Sequence, residues 1–145
     1  MANIELALTG VDLVVKDMKA TVAFYRRLGL TIDDGHPWSG HHIEVTLSNG
    51  FKLAFDSVEM TKTYDSGWRN PAGGSRNVLS FSLPSREAVD KLYADLTAAG
   101  YVSHQPPFDG FWGGRYAIVD DPDGNNVGLM SPMDDAHRSA PPKLW

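Results

Sequence analysis

The order of apolar and polar residues along the chain predicts the same set of elements twice. An apolar run with β-branched residues at 6–15 predicts a strand, and an amphipathic run at 18–29 predicts a helix. Asp17 offers an N-cap for this helix, and Gly29 is the type of residue that commonly ends one. Three short strands are predicted next, at 30–33, 42–48 and 51–57, the last two joined by an Asn49-Gly50 hairpin turn.

The pattern starts again after a polar stretch at 60–76, which is rich in glycine and proline and is interpreted as a linker. A strand at 77–83 and a helix at 85–100 are followed by three predicted strands, at 101–108, 114–120 and 125–131. The chain therefore predicts an α+β protein of two tandem βαβββ units, at 1–59 and 77–132, with a tail at 133–145. Because each helix covers one face of its sheet, the other face must be buried or must bind something.

Composition narrows the range of functions. The 145 residues suit one domain, or two half-domains that share a core. The sequence has no run of 18 apolar residues and no signal-peptide pattern, so we expect a cytoplasmic protein without a membrane span. The absence of cysteine excludes disulfides, zinc–thiolate sites and thiol nucleophiles. A net charge of −5 with scattered arginines and lysines argues against a nucleic-acid partner.

Two segments give the chain a family resemblance: FYRRLGL at 24–30 and RYAIVDDPDGNNVGLMSP at 115–132. Together with the order of elements, they resemble the vicinal oxygen chelate superfamily. That superfamily includes glyoxalase I, extradiol dioxygenases, fosfomycin-resistance enzymes and the bleomycin-resistance proteins. The resemblance covers about residues 6–132 and implies a cup-shaped mixed sheet with the helices on the outside. It leaves the activity open, because one fold supports many functions.

The resemblance also locates the family's metal ligands. Enzymes of the superfamily hold a divalent metal on residues that face into the cup, and three of these four positions correspond to Gly10, Val78 and Gly128. The fourth falls at Leu53 or Phe55. None of these side chains can bind a hard divalent metal. Shifting each register by one or two residues recovers only Asp12, Ser80 and Asn126, which make a poor ligand set. The resemblance is therefore closest to metal-free, bleomycin-resistance-like binding proteins, and no cofactor is expected.

Aromatic residues supply the remaining candidate chemistry. In the bleomycin-resistance proteins a Trp-Gly-Gly run lines the ligand groove, and the corresponding run here is Trp112-Gly113-Gly114. We interpret Phe111 and Trp112 as a stacking platform that the flanking glycines open to a flat ligand, and Tyr116 as its polar anchor. Gly128, inside a predicted strand, would leave room for a ligand or mark a β-bulge.

Four further residues complete the predicted ligand site: Trp38, His42, Glu44 and Phe55. Trp38 and Phe55 are candidates because aromatic side chains often line ligand sites. His42 and Glu44 lie two residues apart and share one face of a strand, so they could bind a metal, although a solvated strand start is the simpler interpretation.

Three functional hypotheses follow. The favoured one is a metal-free protein that sequesters a planar aromatic ligand, possibly an antibiotic, and so confers resistance. The second is a metal-dependent lyase, isomerase or dioxygenase with a displaced site at His42, Glu44 or Asp12. The third is a metal-free enzyme with Tyr116, Asp12 or Glu44 as acid or base. Enzyme activity therefore stays open, and the resemblance implies a homodimer with grooves at the interface.

Overall fold

The computed structural model describes residues 4–143 and divides the chain into two compact units, Met1–Pro71 and Ala72–Trp145. Each unit contains one mixed β-sheet and at least one α-helix that covers a face of it. The predicted α+β class is confirmed. No helix among residues 4–143 is both long and apolar enough to cross a membrane.

The first unit has three strands and two helices: β1 (Gly10–Val15), α1 (Met18–Leu28), β2 (His42–Thr46), β3 (Lys52–Ser57) and α2 (Val58–Tyr64). In its sheet β3 lies in the centre, parallel to β1 and antiparallel to β2. The Asp17 carboxylate accepts a hydrogen bond of 3.1 Å from Ala20 N, which caps α1 as predicted. Gly29, at φ 126°, ends this helix.

Two predictions for the first unit were wrong. The segment 30–33 forms no strand. The Ile32 carbonyl accepts a hydrogen bond of 2.7 Å from the Arg26 guanidinium and not from the main chain of a neighbouring strand. The first sheet therefore has three strands and not four. The second difference is α2, which begins directly after β3 and extends into the predicted linker. Ser57 Oγ caps this helix by accepting from Met60 N at 3.0 Å.

The second unit contains the predicted four strands and one helix: β4 (Val78–Ser82), α3 (Arg86–Ala98), β5 (Ser103–Asp109), β6 (Arg115–Asp120) and β7 (Asn126–Met130). The strand order is β4-β7-β6-β5, with β4 parallel to β7 and the other pairs antiparallel. A 3₁₀ turn at Asp135–His137 follows in the tail.

Each sheet has one covered face and one face that carries polar side chains. In the first unit Phe55 is fully buried and stacks on Tyr25 of α1, with ring centroids 5.0 Å apart. In the second unit the buried side chains of β6 and β7 lie beneath α3, namely Ala117, Val119, Val127 and Leu129. Because side chains alternate along a strand, the opposite face of the first sheet carries Asp12, His42, Glu44 and Asp56. The corresponding face of the second carries Ser80, Tyr116, Asn126 and Gly128.

Candidate functional site

A groove of about 440 Å³ lies on the polar face of the first unit. Pockets of this size are typical of small-molecule sites. Its lining comes from all three strands, from the turn before β2 and from α2. The lining residues are Asp12, Trp38, His42, Asp56, Met60 and Tyr64.

The floor of the groove is a buried carboxylate with two partners. Asp56 is 3 % exposed. One of its oxygens lies 2.5 Å from His42 Nδ1, and the other accepts a 2.8 Å hydrogen bond from the Tyr64 hydroxyl. His42 and Asp56 are direct cross-strand neighbours of β2 and β3. Tyr64 is the last residue of α2, and the immediate start of this helix after β3 brings its hydroxyl back to Asp56.

This pairing fixes the imidazole of His42. A carboxylate only accepts hydrogen bonds, so Nδ1 carries a proton, and in the neutral ring Nε2 is the nitrogen with a free electron pair. The His42 side chain is 37 % exposed and lines the groove, which makes Nε2 accessible to a bound molecule. A buried carboxylate behind a half-exposed imidazole is an arrangement that selects the tautomer and orients the ring.

An exposed aromatic surface stands beside the imidazole. Trp38 is 63 % exposed. Its main-chain carbonyl accepts hydrogen bonds from His41 N at 2.8 Å and His42 N at 3.0 Å, which hold the turn that carries the indole next to the start of β2. The groove therefore combines a flat apolar wall with hydrogen-bond acceptors from Asp12 and His42.

Two other predicted site residues lie elsewhere. Glu44 shares the face of His42, as predicted, but its carboxylate forms an ion pair with Lys52 Nζ at 3.2 Å outside the groove lining. Phe55 lies in the core against α1, so the structure does not bring it to the groove. Asp56, Met60 and Tyr64 line the groove but were not predicted from the sequence. The alternation of FKLAFDS places Asp56 on the polar face, whereas α2 was not predicted.

The predicted aromatic platform forms a separate cluster in the second unit. This aromatic cluster consists of Phe108, Phe111, Trp112 and Tyr116. The Trp112 ring meets the other three edge to face, at centroid distances of 5.3 Å to Phe111, 5.9 Å to Phe108 and 6.1 Å to Tyr116. Phe108 and Phe111 are 37 % and 38 % exposed. The structure thus brings Phe111, Trp112 and Tyr116 together and leaves the two phenylalanines accessible.

The glycines around Trp112 make room for the chain itself. A Cβ added to Gly110 or Gly114 would lie 2.4 Å or 2.7 Å from the Trp112 indole. Gly113 has φ 95°, and its Cβ would lie 2.4 Å from the main-chain oxygen of Asp134. The tail is held there by a 3.0 Å hydrogen bond from Asp134 N to the Gly113 carbonyl. The space that we assigned to a flat ligand is therefore occupied by Trp112 and by the tail.

Gly128 lacks a side chain and so leaves room for the ring of Tyr116 on the neighbouring strand. A Cβ at Gly128 would lie 2.7 Å from the Tyr116 hydroxyl oxygen. The register of β6 and β7 continues across Gly128 without a shift, so the residue marks no bulge. Burial raises the pKa of Tyr116, and a hydrogen bond with Ser80 partly opposes that rise. The phenol thus occupies the position where the resemblance placed a carboxylate.

The fold and the sequence together define a class of protein. A model of the glyoxalase/bleomycin resistance protein/dioxygenase superfamily matches residues 7–129. The chain belongs to this superfamily, and the resemblance found in the sequence is confirmed.

Individual relatives support the same placement. An uncharacterized protein of Pseudomonas aeruginosa, PA2024, is 32 % identical over 128 residues, which cover 83 % of this chain and 84 % of the relative. A glyoxalase/bleomycin resistance protein/dioxygenase family enzyme from Burkholderia phytofirmans is 22 % identical, with a TM-score of 0.74 over 87 % of this chain and 98 % of that chain. A lactoylglutathione lyase from Agrobacterium tumefaciens is 20 % identical, with a TM-score of 0.64 over 89 % and 96 %. At these identities the two structures show the fold alone.

The metal positions implied by the superfamily do not fit a metal in this chain. A Cβ at Gly10 would lie 2.7 Å from the main-chain oxygen of Lys52, and the space beside Gly128 holds the Tyr116 hydroxyl. Val78 offers no donor atom, and neither do Leu53 and Phe55, which are buried in the core. Within residues 4–143 no group of three or more histidine or acidic side chains is arranged to hold a metal ion.

The account of Gly113 predicts a large loss of stability when Gly113 is changed to Ala. The substitution places a Cβ in the left-handed region and against the main chain of Asp134, so we expect at least about 2 kcal/mol less free energy of unfolding. Urea denaturation followed by circular dichroism measures it. Gly74→Ala is the matched control, because nothing lies within 4 Å of its Cβ, and its effect should stay within about 0.5 kcal/mol. Equal effects of the two substitutions would contradict the account.

The pKa of Tyr116 predicts a loss of stability at alkaline pH. Because the folded state raises this pKa above its ordinary value of 10.0, the uncharged phenol is favoured on folding, and the contribution is complete below pH 10 and lost above it. We expect the free energy of unfolding to fall less steeply above pH 10 in Tyr116→Phe than in the wild type. Urea denaturation at a series of pH values from 8 to 11 compares the two slopes, and parallel curves would show that burial of Tyr116 makes no such contribution.

Proposed function

We propose that the protein binds a small planar aromatic molecule in the groove of the first unit, without a divalent metal, and sequesters it. The observation that carries this proposal is the exposed Trp38 indole beside an imidazole that a buried carboxylate holds in place. Membership of the superfamily supports a small-molecule site on this fold. Planar antibiotics belong to the ligand class proposed, which keeps antibiotic resistance among the possible roles.

The shape and polarity of the groove select the ligand class. Trp38 offers a flat apolar face, and a stacked aromatic ring adds about 0.5–1.5 kcal/mol to the binding that its buried area provides. Met60, on the α2 side, supplies a polarisable thioether that adapts to an aromatic edge. His42 Nε2 and the Asp12 carboxylate accept hydrogen bonds, so the ligand is expected to carry a donor such as a phenol or an amine.

The hydrogen bonds of the groove support a metal-independent mode of binding. Both oxygens of Asp56 are engaged, one by His42 and the other by Tyr64. Glu44, which the displaced-metal hypothesis would use, is paired with Lys52. These contacts engage Asp56 and Glu44 within the protein, so neither carboxylate needs a metal to balance its charge.

The aromatic cluster is a second candidate surface. Phe108 and Phe111 together present exposed aromatic rings that are supported from behind by Trp112. The assignment of Phe111, Trp112 and Tyr116 to ligand binding therefore stays a prediction, with Phe111 as an accessible member. Gly113 and Gly128 were assigned with them, but the space beside these glycines holds the tail and Tyr116. The expected homodimer and the absence of a nucleic-acid partner also stay predictions.

The proposal predicts that Trp38→Ala weakens ligand binding more than tenfold, because the stacking wall is removed. Isothermal titration calorimetry with EDTA present, against a panel of planar antibiotics and aromatic metabolites, measures the dissociation constants. Glu44→Gln is the control on the same sheet face and should change binding less than twofold.

Two results would contradict this assignment. Binding that required added Mn²⁺, Fe²⁺ or Zn²⁺ would identify a metal-dependent site and favour a metal-dependent lyase, isomerase or dioxygenase. Binding that survived Trp38→Ala but was lost in Phe111→Ala would move the ligand site to the aromatic cluster of the second unit.

A further inference from the structure

We propose that His42 is a metal-free general base, which acts on a planar conjugated acid bound in the groove of the first unit. This proposal rests on the proposed binding groove and goes beyond it, because it assigns a proton-transfer reaction to the site. The acid–base residues considered from sequence were Tyr116, Asp12 and Glu44. The structure assigns the role to His42 instead.

The geometry of His42 meets the requirements of a base. Its Nδ1 donates to the buried Asp56 carboxylate at 2.5 Å, so Nε2 is the ring nitrogen not bonded to Asp56, and the His42 side chain lines the groove. When Nε2 takes a proton, the ring becomes an imidazolium, and Asp56 stabilises that positive charge directly. Tyr64 binds the second oxygen of Asp56 at 2.8 Å and keeps the carboxylate in position. Asp56 and Tyr64 are thus positioning residues.

Charged and titratable groups around the imidazole come from each neighbouring element. Asp56 belongs to β3, Tyr64 to α2 and Asp12 to β1, and all three line the same groove. Glu44, on β2 itself, is neutralised by Lys52. The side chains that surround the imidazole in the groove are therefore acidic or neutral.

The same residues define the class of substrate. Among the described residues, those that line the groove include neither lysine nor arginine, so no cation is placed to stabilise a localised oxyanion. The substrate must then spread the negative charge over its own conjugated system after it loses the proton. A flat aromatic or conjugated carbon acid with an electron-withdrawing substituent fits both this condition and the Trp38 wall.

The compound 5-nitrobenzisoxazole is a probe with these properties. Its C3–H bond breaks as the proton moves to His42 Nε2, and the electron pair of that bond forms the third bond of a nitrile. The N–O bond breaks in the same step and leaves 2-cyano-4-nitrophenolate, which absorbs visible light. The reaction needs no oxidant, metal or second substrate, so it reports the base alone.

The test compares turnover and binding in four variants with EDTA present. We expect wild-type kcat/KM for the probe to fall at least about 100-fold in His42→Gln, since general-base catalysis typically contributes factors of 10²–10⁴. Asp56→Asn should lower kcat rather than raise KM, because an amide can donate to Nδ1 and so favours the other tautomer. Tyr64→Phe, which removes one hydrogen bond and keeps the ring, should give a smaller decrease. Glu87→Gln, which changes an exposed carboxylate of α3 in the second unit, is the control and should stay within twofold.

A pH profile and a binding measurement separate a catalytic role from a structural one. The wild-type rate should depend on pH through the protonation of His42, and this dependence should be absent in His42→Gln. Binding of 5-nitroindazole, an unreactive molecule of the same shape, should change less than threefold in His42→Gln. Circular dichroism confirms that each variant is folded.

The outcomes that overturn the proposal are distinct from those that overturn the binding function. If 5-nitroindazole binds with the Trp38 dependence described above but turnover is equal in wild type and His42→Gln, His42 is not a base and the binding function stands. If turnover requires a metal, the metal-free assignment is wrong. If neither probe binds, both the base and the groove assignment are overturned.

Discussion

The hydrogen-bonded carboxylate of Asp56 is the interaction on which the candidate site depends. A carboxylate that is 3 % exposed is costly unless each oxygen has a partner, and Asp56 has one from β2 and one from α2. Those two bonds orient His42, bring the end of α2 against the polar face of the sheet, and so create the groove. Removal of either partner would leave a buried acceptor unsatisfied.

The alternation of apolar residues predicts strands β2 and β3, but it does not predict the register in which they pair. The strands 42–48 and 51–57 were predicted with a two-residue Asn49-Gly50 turn, which would place His42 opposite Ser57. In the structure Leu47 N donates to the Phe51 carbonyl at 2.8 Å, and the loop contains three residues with Gly50 at φ 86°. The pairing shifts by one residue and sets His42 opposite Asp56. A shift of one residue exchanges the faces of a strand, so the buried pair could not be read from the pattern alone.

In the second unit the elements were predicted correctly, but the role of the glycines was not. Its strands, its helix and the grouping of Phe111, Trp112 and Tyr116 were predicted from the sequence. The role of the glycines was not, because the sequence does not say whether the space beside a glycine is filled by a ligand or by the chain. Trp112 occupies the space beside Gly110 and Gly114, and Tyr116 occupies the space beside Gly128. In this unit, Gly128 stands at a family metal-ligand position, and the Tyr116 side chain fills the space beside it.

The central claim is that Asp56 fixes the His42 tautomer with Nε2 available to a ligand in the absence of metal. Long-range ¹H–¹⁵N correlation spectra of the histidine rings, recorded with EDTA and assigned by comparison with His42→Gln, test it directly. The account predicts a protonated Nδ1 and an unprotonated Nε2 for His42 at pH 8, with the Nε2 resonance moving when a planar ligand is added. A proton on Nε2, or a resonance that responds to Zn²⁺ but to no aromatic ligand, would contradict it.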